Sequence, residues 1–102
     1  MSLPLRTTPE AEAQIREIDN WWRKNRLASP DLFLDELKES FEIIAGAPQI
    51  GRLYRPSPVR QVRRLLLKRT RYHVYYVPIA REVTVLAVWH AQRGVGPPLR
   101  SS

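Results

Sequence analysis

Several residue types are rare in this chain of 102 residues, which has no cysteine, four scattered glycines and one methionine. Without cysteine there is neither a disulfide framework nor a zinc site built on thiolates. The scattered glycines form no phosphate-binding loop. No apolar run approaches the roughly 18 residues that cross a membrane, and the N-terminus lacks the plan of a signal peptide. We therefore expect one cytoplasmic domain that spans residues 1–102.

Acidic residues are nearly missing from the second half of the chain. Residues 51–102 contain eleven Lys or Arg and one acid, Glu82, whereas residues 1–50 contain six basic residues and nine acids. Two-metal nucleases need clustered carboxylates, and His73 and His90 lack the i, i+4 spacing of a helical zinc site. We therefore expect no metal and no cofactor. The basic half is suited to an acidic surface, which is either nucleic acid or an acidic protein.

Two segments of the first half have the apolar period of amphipathic helices. We expect Thr8 to cap a helix that runs to about Arg26. Ser29 and Pro30 should begin a second helix, which Gly46 ends in the left-handed conformation. Because two or three residues join the helices, they should form an antiparallel hairpin. The apolar stripe consists of Ala11, Ile15, Ile18 and Trp22, then Phe33, Leu37, Phe41 and Ile44.

Strand-like segments follow the hairpin, and one precedes it. Pro4 confines the first of them to a sheet edge or a strand start. Residues 51–58 should form a loop, and the tail from residue 94 to residue 102 should be irregular and exposed. The fold class is therefore α+β, a two-layer domain in which the hairpin packs on a mainly antiparallel sheet in the order β-α-α-β-β-β. The four predicted strands are residues 2–6, 59–68, 72–77 and 83–90.

Two of these strands are apolar on both faces, at Leu65–Leu67 and Val85–Trp89. A sheet with one solvated face should alternate apolar and polar residues, and the hairpin can cover one face alone. We expect a partner chain to cover the second face. The alternatives are a fifth strand or the C-terminal tail.

Metal-free RNA cleavage is open on the residues alone. It needs a proton acceptor, a proton donor and cations that stabilise the developing charge on phosphate. The alternative is that the arginines form a solvated or partner-binding face and that the tyrosines pack in the core. A plain nucleic-acid-binding module is a third possibility. The candidate groups are His90, Tyr72, Tyr75 and Tyr76 for proton transfer, with Arg63, Arg64, Lys68, Arg69, Arg71 and Arg93 as cations.

Four stretches carry a more specific pattern. They are a Pro-x-x-Gly after the hairpin, Pro48–Gly51, and the runs Val62–Leu67, Tyr72–Tyr76 and Val85–Arg93. Together with the order of helices and strands, they resemble the RelE/ParE toxin superfamily over residues 3–95. The last strand runs into a His-x-x-Arg, which is similar to the ParE branch.

The resemblance implies the toxin of a type II toxin–antitoxin system that stabilises plasmids. It implies inhibition of DNA gyrase, and neutralisation by a small acidic antitoxin that folds on binding. From their position at the end of the last strand, we assign Trp89, His90 and Arg93 to the target contact. We expect the antitoxin on the hairpin and the sheet, at Trp21, Trp22, Leu34, Arg63, Leu65, Leu67 and Tyr75.

The RelE branch of the superfamily cleaves messenger RNA on the ribosome. The chain departs from that branch because neither a tyrosine nor a second histidine follows His90, and Lys68 is the one lysine of the basic half. We therefore expect a gyrase inhibitor without catalytic residues, with mRNA cleavage as the alternative. An inactive member and direct nucleic-acid binding are also open. The alternative catalytic set is Arg64, Lys68, Tyr75, His90 and Arg93.

Overall fold

The computed structural model describes residues 2–92 and 94–100. In this part of the chain the strands form one sheet in the order β1-β5-β4-β3-β2. Strand β1 runs parallel to β5, and the other neighbours are antiparallel. This confirms the α+β fold, the helical pair and the meander. The elements are β1 (Leu5–Thr7), α1 (Pro9–Asn25), α2 (Leu32–Gly46), β2 (Arg52–Leu53), β3 (Arg63–Leu67), β4 (Tyr72–Ile79) and β5 (Glu82–His90).

Strand β2 corrects the predicted loop at residues 51–58. Its two residues pair with Arg63 and Arg64 at one edge of the sheet. At the other edge, β1 begins after Pro4 and spans three residues instead of the predicted residues 2–6, but it is an edge strand, as that proline predicts. Residues 59–62 turn before β3 begins, so the second predicted strand, residues 59–68, is shorter than expected.

Helix α1 begins as the sequence predicts. The Thr8 hydroxyl accepts a hydrogen bond from the Ala11 amide at 3.1 Å, and a proline follows the cap. Along the predicted stripe, Ala11 and Trp22 are buried, while Ile15 and Ile18 pack partly buried beside them. The helix thus presents its apolar face to the sheet.

Helix α2 ends at Gly46 as predicted, but its start and the left-handed conformation expected for Gly46 are wrong. The Asp31 carboxylate pairs with the Arg23 guanidinium at 2.8 Å and makes no cap bond, and the Ser29 carbonyl accepts from the Leu32 amide in a turn. The helix therefore starts at Leu32, and the connection spans residues 26–31 instead of two or three residues. Gly46 is the last helical residue and has no positive φ, because Ala47 caps the helix through its own amide.

The helices and one face of the sheet enclose the larger core, which we call the helix-side core. Its largest fully buried members are Tyr76 and Phe33, and the Phe33 ring meets Tyr72 edge-on at 5.2 Å. The buried residues are Ala11, Trp22, Phe33, Leu37, Ile44, Leu67, Tyr72, Val74, Tyr76, Val83, Val85 and Val88.

A second cluster, the outer cluster, lies on the opposite face of the sheet. The C-terminal tail covers it, since Leu99 is 8% exposed and Pro97 is buried. Over residues 94–100 the tail is irregular and mostly exposed, as predicted, but Pro97 and Leu99 are buried. Residues 101–102 lie outside the described residues. A partner chain is not needed over this patch, because the tail and the loop after β2 cover it. The buried members are Val62, Tyr75, Val77, Leu86, Ala87 and Leu99, with Tyr54, Val59 and Trp89 beside them.

Neither helix of the described chain is long and apolar enough to cross a membrane.

Candidate partner-binding cleft

An open cleft of about 710 Å³ lies between α1, the β3–β4 loop, the start of β4 and the end of β5. Trp21 and Trp22 line it from α1, and Trp89, whose side chain packs beside the outer cluster, borders it from β5. Its volume falls in the range of ligand-binding clefts, about 300–1,000 Å³. The lining residues are Gln14, Glu17, Ile18, Trp21, Trp22, Arg26, Arg69, Thr70, Tyr72, Val88, Trp89 and His90.

Two walls of the cleft, α1 and β5, are held together by side chains at the start of the helix. Strand β1 pairs with β5 at residues 83–85 alone, so the next backbone groups of β5 need other partners. The Thr8 hydroxyl donates to the Leu86 carbonyl at 3.3 Å, and the Gln14 side-chain oxygen accepts from the Val88 amide at 2.8 Å. The helix thus replaces a neighbouring strand and fixes its own distance from β5.

A carboxylate on α2 holds the third wall, the loop between β3 and β4. Glu36 accepts hydrogen bonds from the amides of Arg69 and Thr70, at 2.8 and 2.9 Å, and from the Thr70 hydroxyl at 2.7 Å. Three donors converge on one carboxylate, so the loop backbone is fixed against the helix. Arg69 is thereby placed at the rim of the cleft.

Arg26 covers two of the tryptophan rings. Its guanidinium carbon lies 4.9 Å from the centre of the Trp21 ring and 5.8 Å from that of Trp22. Trp21 is 45% exposed, whereas Trp22 is 9% exposed and its Nε1 is buried with no hydrogen-bond partner in the described chain. Within the described residues neither Arg26 nor Arg69 forms an ion pair. The cleft therefore offers exposed aromatic surface beside two cations that form no ion pair within the described residues, although Glu17 also lines it.

Two of the three residues assigned to the target contact lie at the far end of this cleft. The His90 ring meets Tyr72 edge-on at 5.1 Å, and its Nδ1 accepts from the Gln92 amide at 3.2 Å. Trp89 donates from Nε1 to the Val95 carbonyl at 2.8 Å, which ties the cleft to the tail. Arg93, the third, lies outside the described residues.

The residues assigned to the antitoxin contact are divided by the structure. Trp21 and Trp22 line the cleft, beside Trp89 and His90. Leu34 and Leu65 are half-buried against the helix-side core. The other three have little surface or hold the fold: Leu67 and Tyr75 are each 2% exposed, and Arg63 donates to the carbonyls of Gln49 and Gly51 at 3.1 and 2.7 Å.

The alternative catalytic set is not brought together. Arg64 lies on the outer face, 5.2 Å from the Tyr54 ring centre. Burial raises the pKa of the Tyr75 hydroxyl, and a hydrogen bond with Arg64 opposes that shift. His90 lies on the helix side, against Tyr72. Lys68 is exposed in the β3–β4 loop, and Arg93 is outside the described residues.

A histidine that the sequence analysis left unassigned lies on the outer face. Burial, then the charges of Arg64 and Arg71, lowers the pKa of His73 to about 4. Its ring lies 6.0 Å from Tyr75. No three His, Asp or Glu side chains of the described chain are grouped closely enough to hold a metal ion.

Sequence reasoning missed Arg26 and Gln14. Arg26 follows Trp22 by four residues, so helical spacing could have placed its side chain next to that ring. Gln14 had no such signal, because its role depends on where β1 stops pairing with β5.

The comparisons with known proteins agree with this architecture. A family model described as the ParE toxin of type II toxin–antitoxin system, parDE, matches residues 5–94. No curated protein sequence matches the chain.

Solved structures show the same fold. The chromosomal ParDE toxin–antitoxin system from P. aeruginosa is 20% identical, with a TM-score of 0.71, and the match covers 89% of this chain and 98% of that one. A mutant of the E. coli toxin RelE in the free state is 21% identical, with a TM-score of 0.58, covering 90% of this chain and 86% of that one. Because the family model spans nearly the whole chain, the protein belongs to the ParE toxin family of type II toxin–antitoxin systems.

Proposed function

We propose that the protein inhibits DNA gyrase without cleaving a substrate and that a cognate antitoxin neutralises it. The observation that carries the proposal is the ParE toxin match over residues 5–94. The similarity to a ParDE system, in which toxin and antitoxin occur together, supports a protein partner. We further propose that it acts in the cytoplasm, where gyrase is found, and that it serves plasmid stabilisation.

The geometry favours inhibition over mRNA cleavage. Within the alternative catalytic set, the two groups that could transfer protons, Tyr75 and His90, lie on opposite sides of the sheet. Tyr75 is almost fully buried, and a general acid or base must come within hydrogen-bond reach of its substrate. A binding surface needs no such convergence, and the cleft between α1 and β5 provides one.

Expression of the protein without an antitoxin tests the proposal in cells. Gyrase poisoning damages DNA, so the cells should form filaments and induce a DNA-damage response while incorporation of labelled amino acids continues. Prompt arrest of translation with cleaved messages would instead assign the protein to mRNA cleavage. An Arg64→Ala, His90→Ala double variant sharpens this contrast, since loss of cleavage in that variant would confirm the catalytic set.

A further inference from the structure

We propose that the outer face of the sheet binds the phosphate backbone of duplex DNA through Arg52, Arg64 and Arg71, which we call the outer arginine patch. The inference rests on the proposed function for the choice of occupant, because gyrase holds duplex DNA and a toxin bound to gyrase lies next to that DNA. It adds a second contact surface, on the side of the sheet that faces away from the helices.

The strand register places two of these arginines side by side. Arg52 of β2 is the direct partner of Arg64 of β3, so the two side chains share one face of the sheet. That face is the outer one, because the Arg64 guanidinium lies 5.2 Å from the centre of the Tyr54 ring. Its neighbour Arg63 points to the opposite face and donates to carbonyls of the segment after α2. Like charges at directly opposite positions destabilise a sheet, so this pair lowers the stability of the free protein.

Arg71 is held in a backbone conformation that is unfavourable for it. Its φ is 70°, in the left-handed region that favours glycine and asparagine. The charges of Arg64 and Arg71, after burial, lower the pKa of His73 to about 4, so both guanidinium groups lie near one uncharged ring. A strained arginine beside a second arginine costs stability, and such costs are concentrated at functional sites.

No carboxylate of the described chain neutralises the patch. None of its three arginines forms an ion pair within the described residues. Glu82, the one acid of residues 51–102, pairs with Arg6 at 3.1 Å at the β1 edge of the sheet. The other nine acids lie between residues 10 and 42, in the helices and their connection. An anionic partner is therefore needed, and duplex DNA presents one negative charge per about 1.7 Å of its axis.

The aromatic residues of the outer face favour the DNA backbone over other acidic partners. A single strand is bound by stacking its bases on exposed rings, but Tyr75 is 2% exposed and the Arg64 guanidinium covers Tyr54. Trp89 is tied to the tail through the Val95 carbonyl. An acidic protein segment needs an apolar anchor beside the cations, and the tail covers the outer cluster. Contact with phosphates remains, and it does not depend on base sequence.

Fluorescence anisotropy with the purified full-length protein and a labelled duplex of about 20 base pairs tests the proposal in the absence of gyrase. Three neutralised phosphates predict a slope of about −2.7 for the logarithm of affinity against that of salt concentration, which is about a 40-fold loss of affinity between roughly 50 and 200 mM salt. Arg64→Gln and Arg71→Asn should each weaken binding and reduce the slope by about 1. Arg16→Gln removes the same charge from an exposed position of α1 and should bind like the wild type.

Two further measurements separate charge from folding. Arg71→Asn should have a urea midpoint equal to or above that of the wild type, because asparagine tolerates the left-handed backbone and one repulsion is removed. Weaker binding by so stable a variant cannot come from misfolding. Arg64→Lys keeps the charge and should keep the salt slope, although it loses the planar group that lies over Tyr54.

Four results would overturn the proposal. They are an affinity that does not change with salt, an Arg16→Gln variant that binds as weakly as Arg71→Asn, tighter binding of single-stranded RNA of the same sequence, and tighter binding of polyglutamate of equal charge. The last two would assign the patch to RNA or to an acidic protein.

The two proposals can fail separately. A protein that inhibits purified gyrase but does not bind the free duplex contradicts the DNA contact alone. One that binds the duplex through the outer arginine patch but leaves gyrase active contradicts the proposed function alone.

Discussion

At the scale of single residues, the Pro-x-x-Gly segment is held by one hydroxyl. Tyr76 accepts a hydrogen bond from the Gly51 amide at 2.9 Å and donates one to the Pro48 carbonyl at 2.8 Å. A Cβ on Gly51 would lie 2.7 Å from the same hydroxyl oxygen. The motif therefore connects the end of the helical hairpin to the sheet through the Tyr76 hydroxyl. Glycine is required at position 51 because the hydroxyl approaches its Cα closely, and not because the backbone needs a positive φ.

This contact predicts that substitutions of Tyr76 and Gly51 have non-additive effects on stability. Tyr76→Phe should lower the free energy of unfolding by about 1–3 kcal/mol, because it leaves a buried N–H without a partner. Gly51→Ala should destabilise the wild type by a similar amount through the clash, and by less in the Tyr76→Phe background, where the hydroxyl is gone. Urea denaturation of the four proteins measures this coupling. Strictly additive changes in the free energy of unfolding would contradict a direct contact between the Tyr76 hydroxyl and residue 51.

His73 predicts a pH dependence of stability. Its pKa of about 4 in the folded chain lies below the ordinary value of about 6.5, so the unfolded chain takes up the proton first. This contribution to stability is complete above about pH 6.5 and is lost as the pH falls towards 4. Compared with the wild type, His73→Gln should lose less stability between pH 7 and pH 4.5 in urea denaturation. Parallel curves for the two proteins would show that His73 does not titrate in this way.

At the scale of elements, the Glu36 carboxylate of α2 fixes the β3–β4 loop through its three hydrogen bonds, a contact that we call the Glu36 clamp. Glu36→Ala removes the acceptor of three hydrogen bonds and should lower the free energy of unfolding by about 2 kcal/mol. It should also speed amide hydrogen exchange at Arg69 and Thr70 in particular. Glu39→Ala, an exposed position of the same helix, is the matched control and should change neither. Equal exchange in both variants would contradict the clamp.

The elements also show where sequence reasoning succeeds and where it stops. The Thr8 cap and the α1 stripe were predictable because their signals are local. The face of the sheet on which each β5 side chain lies was not predictable. The pairing of β4 with β5 shifts by one residue between Tyr75 and Tyr76, so Leu86 and Ala87 both contribute to the outer cluster while Val85 and Val88 face the helices. Simple alternation therefore fails, because register depends on the partner strand.

For the whole molecule, the C-terminal tail is what the sequence placed least well. Its prolines and glycines indicate irregular chain, which is what the structure has over residues 94–100. Burial of Leu99, however, depends on an apolar face formed by β4, β5 and the connection between β2 and β3. The same limit applies to the cleft. Trp21 and Trp22 were assigned to one partner and Trp89 and His90 to another, and tertiary contact alone puts them side by side.

The tail should stabilise the folded chain. Leu99→Ala removes a buried side chain from the outer cluster and should lower the free energy of unfolding by about 2 kcal/mol. Val95→Ala serves as the control, because Val95 is 78% exposed and its loss should cost less than about 0.5 kcal/mol. Both variants are compared by thermal and urea denaturation. If Leu99→Ala and Val95→Ala destabilise the protein equally, Leu99 does not contribute to the core.

The most direct test of the proposed function is a supercoiling assay with purified DNA gyrase and relaxed plasmid, free of ribosomes and messenger RNA. Added in increasing amounts, the protein should inhibit supercoiling, and Trp89→Ala should inhibit less than Leu53→Ala, a change at an exposed site on the opposite edge of the sheet. Undiminished supercoiling at every concentration, with message cleavage in a translation extract, would contradict gyrase inhibition.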